Sequence, residues 1–385
     1  IKIIDVAGAS NGTFALNGDY VFSGEQAVIA GAYGYRLYQG GVSSPTDGDW
    51  YLRSALVDPV DPIDPEVPNP PLYQPGVPIY EAYGANLQAL NGLPTLQQRV
   101  GNRSWAAGAK PEGGGVWGRM DGTRSRANAA ISTSGADQKL NSWKIQLGAD
   151  HVLTGSEKGE RLVAGVTAYY GGSNSHVRSI FGNGLLKTDG YGVGATLSWY
   201  GLQGFYIDSQ AQFSWYRSDL DSNILGKLAR NNDGSGEAFS VEAGKRTPVG
   251  GKLSLTPQFQ MVYSNVRFDR FTDPAQAIIA ADKGDSLKTR GGVSIDHQSD
   301  WEGGHTHIYG LINLNYEWLD GTRTSVSGTP IDYANERLWG ELGVGASVSW
   351  TKGVTLYGEV SGNSPFRDFG ESYTPKANAG VRIAF

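Results

Sequence analysis

The sequence predicts an all-β protein whose main part is an antiparallel transmembrane β-barrel of about twelve strands with an α-helix in its lumen. The composition is typical of β structure, with 55 Gly, 20 Tyr, 12 Phe and 10 Trp among 385 residues. From about Gly115 onward, apolar and polar residues alternate over runs of roughly 9 to 14 residues. Soluble strands average about five or six residues, whereas a tilted membrane-spanning strand needs about 9 to 11.

Composition narrows the possible partners and chemistry. The net charge is -6 and the basic residues form no run, so we expect neither nucleic acid nor anionic lipid headgroups as partners. The absence of cysteine excludes disulfides, cysteine-ligated zinc and thiol nucleophiles. No stretch approaches the roughly 20 apolar residues of a membrane-spanning helix, and the start IKIIDVAGAS lacks signal-peptide features. We therefore expect a mature chain or a fragment, and any membrane insertion must use a barrel.

Residues 1–57 are predicted to form a small β unit. Glycine and asparagine separate five short runs of β-forming residues. These runs are Gly12–Leu16, Tyr20–Phe22, Ala27–Ala30, Tyr33–Tyr38 and Asp49–Arg53. So many strands in so short a segment indicate a small sheet or the last rungs of a β-solenoid, and an independent small sandwich is the alternative.

Residues 58–77 are predicted to be a stiff, extended linker. Proline recurs at every third position from Pro59 to Pro68, which is the period of a polyproline II helix and excludes an α-helix or a central strand. At about 3.1 Å per residue the segment spans on the order of 60 Å, more than the thickness of a bilayer. A docking site for a proline-binding domain is the alternative interpretation.

Residues 78–103 are predicted to be helical in two pieces. Pro78 suits a first helical turn, and Glu81 follows near the end where the helix dipole favours an anion. The Asn91–Pro94 segment interrupts the apolar spacing, which predicts helices over Ile79–Leu90 and Thr95–Arg103. We expect a polar enclosure around this segment, and an ordinary interdomain helix is the alternative. The candidate site residues are Tyr80, Glu81, Gly84, Asn86, Leu87, Leu90, Arg99 and Arg103.

Residues 104–385 are predicted to form the barrel. Around Tyr191–Trp199, for example, every second residue is apolar and the intervening residues are small or polar. A soluble barrel of about twelve strands would be too wide for side chains to fill, so we expect the apolar face to meet lipid. The polar face would then line a lumen at Asp208, Gln210, Gln212, Gln258, Gln260, Asn313, Asn315, Glu317 and Glu341.

Aromatic residues and loop lengths fit a membrane barrel. Residues near the ends of the runs predict girdles at the two membrane interfaces, namely Tyr200, Tyr216, Trp318, Trp339 and Trp350. Long polar inserts over 219–236, 269–285 and 320–335 alternate with tight links such as Tyr200–Gly204. Long loops on one side and short turns on the other are typical of outer-membrane barrels.

Few residues indicate chemistry. His305 and His307 would project to one side of a strand start, but no third metal ligand lies nearby, so a solvated strand end is preferred. Carboxylates in a lumen, together with Asn86, could cleave a peptide held in the pore, although such groups more often only form hydrogen bonds. The sequence therefore predicts no catalytic residue, no metal site and no cofactor.

Three segments, in this order, carry a resemblance to a known family. Asp49–Ser54 (DWYLRS) is similar to the last passenger strand of pertactin-like β-helices. Tyr73–Arg103 resembles the segment that enters a translocator, and Asn378–Phe385 resembles a closing barrel strand. With the linker and the barrel between them, the chain resembles the monomeric autotransporters of type Va secretion over nearly its whole length.

The resemblance implies a monomeric outer-membrane translocator of a Gram-negative bacterium that secretes or displays its own passenger. The helix would serve as plug and tether in the lumen. Folding of an autochaperone-like passenger end outside the cell would be nucleated by Trp50, Tyr51 and Leu52. Besides outer-membrane lipid, the implied partners are periplasmic chaperones and the barrel assembly machinery, which would recognise Val381, Ile383 and Phe385.

Other functions remain open at this point. The self-cleaving members of the family show a paired-asparagine motif, whereas this helix offers only Ala85-Asn86-Leu87, which puts cleavage within the barrel in doubt. A porin-like channel with an accessory domain and a soluble β protein are the remaining alternatives.

Overall fold

The computed structural model describes residues 1–56, 70–101, 114–156, 159–351, 353–367 and 369–384. Most of the predicted polyproline linker lies outside these residues, as do Arg103 and Phe385.

Five short strands form an antiparallel sheet ahead of the barrel, here called the small sheet. They are β1 (Lys2–Ile4), β2 (Tyr20–Phe22), β3 (Glu25–Ala30), β4 (Tyr33–Gln39) and β5 (Trp50–Arg53), in the spatial order β1-β5-β4-β3-β2. The strand predicted at Gly12–Leu16 is wrong, because the open edge of β5 is already paired with β1. The other four predictions agree with β2 to β5 to within two residues at each end.

The first helix, α1 (Val77–Asn91), begins two residues earlier and ends one residue later than predicted. Pro78 lies in its first turn, where a missing amide hydrogen costs no helical hydrogen bond. The second helix, α2 (Leu96–Val100), is shorter than predicted. Neither helix of the described residues is long and apolar enough to cross a membrane.

Local sequence explains both ends of α2. The Thr95 hydroxyl accepts a hydrogen bond from the Gln98 amide at 3.2 Å, and the Gln98 side chain accepts one from the Thr95 amide at 3.2 Å. This reciprocal capping box fixes the start of the helix. Gly101 has φ of 68° and ψ of -166°, a conformation that favours glycine and ends the helix before the predicted position Arg103.

The rest of the described chain is almost entirely strand. In chain order the strands are β6 (Gly114–Asn128), β7 (Ile131–Ser132), β8 (Asp137–Gly155), β9 (Arg161–Arg178), β10 (Asn183–Tyr200), β11 (Phe205–Ser222), β12 (Gly226–Lys245), β13 (Thr247–Gly250), β14 (Leu253–Phe268), β15 (Phe271–Thr272), β16 (Ile278–Lys283), β17 (Asp285–Trp301), β18 (Gly304–Glu317), β19 (Thr322–Val326), β20 (Thr329–Ala334), β21 (Leu338–Trp350), β22 (Val354–Pro365) and β23 (Thr374–Ala384).

Within the described residues, twelve of these strands pair antiparallel in a closed ring, in the order β6-β8-β9-β10-β11-β12-β14-β17-β18-β21-β22-β23. The ring closes because β23 pairs with β6, where Val381 lies opposite Gly118. A single chain therefore closes the barrel. The predicted fold class, an all-β protein with a barrel of about twelve strands, is confirmed.

The predicted strand length of roughly 9 to 14 residues is correct for β18, β21, β22 and β23, which have 14, 13, 12 and 11 residues. The other barrel strands are longer, up to 20 residues in β12. The insert 219–236 is a paired extension of the β11–β12 hairpin, and the inserts 269–285 and 320–335 contain β15, β16, β19 and β20. Together with β7, these four strands form a second five-stranded sheet, here called the cap sheet. Pairing satisfies their backbone groups, so the expected loops are strands. The barrel end with the cap sheet is called the capped end, and the opposite end the short-turn end.

The apolar and polar faces of the barrel strands point outward and inward, as predicted. Apolar residues point outward and are exposed, among them Tyr191, Val193, Leu197, Phe213, Phe259, Met261, Ile312, Leu342 and Val344. Polar residues point inward and are buried, among them Asp208, Gln210, Gln212, Gln260, Asn313 and Glu341.

The predicted aromatic girdle is only partly correct. Trp318 and Trp350 are exposed at the ends of their strands, and Trp339 is half-buried. Tyr200 and Tyr216 instead face the lumen and are only 2% and 3% exposed. The period of two requires this, because both are even-numbered residues on strands whose even-numbered residues point inward.

The main hydrophobic cluster lies inside the capped half of the barrel. It joins one face of α1 to the inner wall and the cap sheet through Tyr80, Tyr83, Leu87, Leu90, Leu186, Leu220, Val266, Phe268, Ile279 and Ile331. The expected polar enclosure is therefore only partly correct for this half, where the apolar cluster stands beside buried polar wall residues such as Thr188 and Ser173. Helix and cap sheet together exclude water there, so apolar contacts stabilise the helix.

We expect Gly84→Val to destabilise the contact between α1 and the cap sheet. A Cβ added at Gly84 would lie 2.9 Å from the Cβ of Thr322, so the two elements must move apart. Overpacking of this kind costs about 1–3 kcal/mol. The measurement is the temperature at which the purified barrel loses its compact form on an SDS gel. Gly92→Val is the matched control, because a Cβ there has no neighbour within 4 Å; equal temperatures for the two variants would contradict the prediction.

Candidate functional site in the barrel lumen

Residues 77–101, here called the central segment, occupy the lumen. Helix α1 contacts the wall strands β8 to β12 and β14, as well as β19 and β20 of the cap sheet. Helix α2 contacts β23. Among the twenty-five residues of the segment, only Ala89 and Gly92 are exposed. The segment therefore fills the space that a ring of twelve strands leaves open.

A loop carboxylate of the barrel holds the start of α1 at the capped end. Asp273 is 2% exposed and accepts hydrogen bonds from the Tyr80 hydroxyl at 2.8 Å and the Gln74 side chain at 2.9 Å. Its second oxygen accepts from the Ala277 amide at 2.8 Å, which fixes the carboxylate in its loop. The loop between β15 and β16 thus fixes the point at which the chain enters the lumen.

Glu81 anchors the other side of the helix start. It lies beyond the first turn of α1, so the explanation from the helix dipole is wrong. Its carboxylate is 1% exposed and accepts from the Ser134 amide at 2.8 Å, the Ser134 hydroxyl at 2.5 Å and the Ser132 hydroxyl. The segment between β6 and β8 therefore supplies the donors that a buried carboxylate requires.

Asn86 and Tyr83 bind the wall in the middle of α1. The Asn86 side chain donates to the Thr188 hydroxyl at 2.8 Å and accepts from the Ser173 hydroxyl at 3.2 Å. The Tyr83 hydroxyl donates to Asn232 at 3.0 Å. Both hydrogen-bond partners of the Asn86 amide are hydroxyl groups, so neither partner is a carboxylate or an imidazole that would act as a base.

Toward the short-turn end, ion pairs accompany a smaller apolar cluster that includes Leu96 and Val100. Arg99 is 1% exposed, and its Nη2 donates to Asp208 at 2.5 Å and to the Ser198 hydroxyl at 3.2 Å. Asp150 lies 4.0 Å from Nη1 of the same guanidinium, and the Trp117 ring lies 5.9 Å from its carbon. This guanidinium joins α2 to strands β8, β10 and β11.

A second buried carboxylate holds the start of α2. Glu242 is fully buried and accepts from the Leu96 amide at 3.0 Å and from the Tyr206 hydroxyl at 2.8 Å. The Arg290 guanidinium lies 3.6 Å away and balances its charge. Helix α2 is thereby bound to the wall through its first backbone amide and through Arg99.

The two histidines have separate partners. His305 is exposed and pairs with Asp300 at 2.6 Å, whereas His307 is 4% exposed and pairs with Asp296 at 2.8 Å. The preferred interpretation of a solvated strand end is therefore wrong for His307. No group of three potential metal ligands gathers anywhere in the part of the chain that the structure describes.

The structure brings most of the predicted helix residues into the lumen and adds partners that the sequence did not reveal. Asp150 and Glu242 lie on the polar faces of β8 and β12, so the alternation of these strands could have predicted that both face the lumen. Asp273 and Ser134 lie between strands, where no period exists. Arg103 lies outside the described residues.

A closed barrel with an apolar outer wall, long hairpins at one end and a segment threaded through a polar lumen defines the class of outer-membrane translocator barrels. The family model "Autotransporter beta-domain" matches residues 116–361. The chain belongs to the autotransporter β-domain family. The predicted family is thus confirmed, and the domain is a translocator in the outer membrane of a Gram-negative bacterium.

Relatives of this chain are much longer proteins. The adhesin BmaC autotransporter of Brucella suis is 44% identical over the whole of this chain, which spans 12% of that protein. The probable autotransporter YfaL of Escherichia coli is 27% identical over 97% of this chain and 30% of that protein.

Solved structures share the fold. The transport unit of the autotransporter AIDA-I from Escherichia coli has a TM-score of 0.66 at 18% identity and covers 80% of this chain and 99% of that one. The translocator domain of NalP from Neisseria meningitidis has a TM-score of 0.57 at 15% identity, with coverage of 80% and 99%.

We expect Arg99→Met to be strongly destabilising, because it leaves the fully buried Asp208 without its cation. Breaking a buried pair in this way costs about 3–5 kcal/mol. The double variant Arg99→Met/Asp208→Asn removes both charges and should recover a large part of that loss. Thermal unfolding of the purified barrel measures both variants.

The exposed pair Arg217 and Asp233 supplies the control, since their side chains are 66% and 62% exposed. Arg217→Met should therefore change stability by less than about 1 kcal/mol. A double variant no more stable than Arg99→Met alone would show that the charge of Asp208 is not the cause.

Proposed function

We propose that this chain exports and displays a polypeptide attached on the N-terminal side of residue 1. In this proposal residues 1–57 are the end of that passenger, 58–77 the linker, 78–103 the lumenal helix and 104–385 the translocating barrel. The observation that carries the proposal is the central segment, which fills the lumen and continues at the capped end into a sheet that lies outside the barrel. After export, this segment would remain as plug and tether.

The orientation follows from the two barrel ends. In bacterial outer-membrane barrels, short turns face the periplasm and long hairpins face the exterior. The small sheet at the capped end would thus lie outside the cell. A folded sheet cannot pass back through the lumen, so its folding would bias movement of the chain outward.

Contacts between the small sheet and the barrel support this role. The ring of Phe22 stacks with that of Phe181 from the β9–β10 hairpin at 6.3 Å, and Tyr73 meets the same ring edge-on at 5.4 Å. The Gly34 amide donates to the Leu72 carbonyl at 2.8 Å, which joins the small sheet to the chain that enters the lumen. The passenger end would therefore pack against the capped end of the barrel.

Strand β5 lies between β1 and β4 in the small sheet. Trp50 is 7% exposed and meets the Phe14 ring edge-on at 5.2 Å, and the Tyr51 hydroxyl donates to Asp47 at 2.7 Å. The Val6 amide and the Lys2 ammonium hold the pKa of Asp49 below its usual value, because both stabilise the ionised carboxylate. These contacts support β5 as the strand from which folding of the sheet would start.

The proposed partners follow from the surface and the family. Outer-membrane lipid would cover the apolar outer wall, and the barrel would act as a monomer because one chain closes it. Val381 and Ile383 are exposed on the outer face of β23, where periplasmic chaperones and the assembly machinery would meet the closing strand together with Phe385. The identity to the adhesin BmaC autotransporter supports an adhesive passenger. The proposal includes no catalytic step and no cofactor.

Deletion of residues 73–103 tests the plug. Emptying the lumen should raise the single-channel conductance of the barrel in a planar bilayer several-fold, because the pore radius grows. Deletion of residues 1–53 is the control: it removes most of the small sheet and leaves the lumen filled, so its conductance should match that of the full chain. Equal conductance with and without residues 73–103 would favour a porin-like channel instead.

Replacement of Trp50, Tyr51 and Leu52 together by serine tests nucleation of passenger folding. We expect the passenger at the cell surface to become protease-sensitive and its amount to fall, because β5 loses its buried and half-buried side chains. The control replaces Ile3, Val21 and Val42 by serine. These three residues of the small sheet and its loops are 46%, 54% and 59% exposed. Unchanged display and protease resistance in the first variant would exclude this role for β5.

A further inference from the structure

The stretch between the two helices differs from the rest of the central segment. Helix α1 ends at Asn91 and α2 begins at Leu96, and residues 92–95 have no regular secondary structure. Within a helix most carbonyl groups bond to amides of the same helix, whereas an extended backbone presents its carbonyls sideways to its surroundings. Residues 92–95 are therefore the part of the segment that most resembles a polypeptide in transit.

Three side chains of the wall bind the carbonyl groups of this stretch. Lys144 Nζ donates to the Gly92 carbonyl at 2.8 Å. Gln210 and Gln260 both donate to the Pro94 carbonyl, at 2.8 Å and 3.3 Å. The three side chains come from β8, β11 and β14 and are 6%, 6% and 4% exposed. They are here called the carbonyl collar.

The contacts of the collar do not depend on side-chain identity. All three hydrogen bonds end on main-chain carbonyls, which every amino acid carries, proline included. Elsewhere in the lumen the wall binds particular side chains, as at Glu81, Asn86 and Arg99. The collar would thus fit a chain of any sequence equally well.

Further wall groups extend this type of contact along the lumen axis. Arg119 donates to the Gln98 carbonyl at 3.4 Å, and the Tyr357 hydroxyl donates to the Arg99 carbonyl. Glu242 accepts from the Leu96 amide at 3.0 Å. Close to the collar, the wall therefore offers partners for both polar groups of a peptide backbone.

We propose that the carbonyl collar is a binding site for the main chain of an extended polypeptide that passes through the barrel. Gly92 and Pro94 are its resident ligand once movement has ended. Carbonyl groups that enter the lumen lose water, and a buried carbonyl without a partner is costly. The collar offsets this cost for successive residues of the passenger. This inference rests on the proposed export function and assigns one step of it to Lys144, Gln210 and Gln260.

The test removes the two amide donors and keeps the size of the side chains. An epitope tag is joined to Ile1 of the full chain, and the variant Gln210→Met/Gln260→Met is compared with Gln138→Met/Gln212→Met. The control glutamines are also buried and face the lumen, and they donate to the hydroxyls of Ser175 and Ser214 in the wall, at 2.8 Å and 3.3 Å. The collar glutamines donate to wall groups too, Gln210 to Asp208 at 3.1 Å and Gln260 to Ser240 at 3.0 Å, so the two variants differ in the bonds to the Pro94 carbonyl. The measurement is the rate at which newly made tag becomes accessible to protease added outside the cell.

We expect the collar variant to export the tag roughly three- to tenfold more slowly, while the control stays within about twofold of the unaltered chain. The unfolding temperature of each barrel is measured alongside, because a merely structural role would lower it without a selective loss of rate. Equal rates in the two variants would overturn the collar and leave the export function intact.

Two further arms separate the remaining explanations. The experiment is repeated with a glycine-serine tag and an aspartate-rich tag, and binding of the backbone predicts the same slowing for both. Slowing that is confined to one tag would overturn sequence independence and with it the collar. If the unaltered chain fails to present either tag, the export function itself is refuted, which is distinct from a failure of the collar.

Discussion

The structure depends on one constraint, which is that backbone polar groups within lipid must find partners inside the protein. Twelve strands satisfy it by closing into a ring through β23 and β6. The ring leaves a lumen that wall side chains alone do not fill. The central segment occupies this space, and its burial follows from the closure of the barrel. The period of two serves both sides, because it places apolar residues against lipid and polar residues against the segment.

The lumen holds its occupant by two different kinds of interaction. In the capped half, α1 packs on apolar wall and cap-sheet residues, and its polar groups bond to uncharged side chains, main-chain carbonyls and one aspartate. In the other half, Arg99 and Glu242 form charged contacts that are fully buried. Buried ion pairs add little net stability because of the desolvation of the charges. Their contribution is to define one position of the segment, since any shift would separate Arg99 from Asp208.

The collar lies between these two regions. A site that recognises particular side chains would hold only the resting segment, whereas carbonyl groups are available from every residue that passes. The same lumen thus combines a specific resting position, set by Glu81, Asn86 and Arg99, with contacts that any extended chain can make. The small sheet at the capped end adds a third element, because its aromatic contact with Phe181 links a folded exterior to the filled lumen.

Local periodicity, together with proline and glycine, was enough to predict the number of barrel strands, their two faces, the position of α1 and the break after Asn91. The alternation of the strands would also have predicted that Tyr200 and Tyr216 point inward, because both are even-numbered residues on strands whose even-numbered residues face the lumen. Three-dimensional packing was needed to show that β1 pairs with β5, that the long inserts form the cap sheet, and that Asp273 and Ser134 hold the helix. Arg99 meets Asp208 across 109 residues of sequence. Such contacts depend on the stagger of neighbouring strands and on the depth of the helix in the barrel, and no local pattern encodes either.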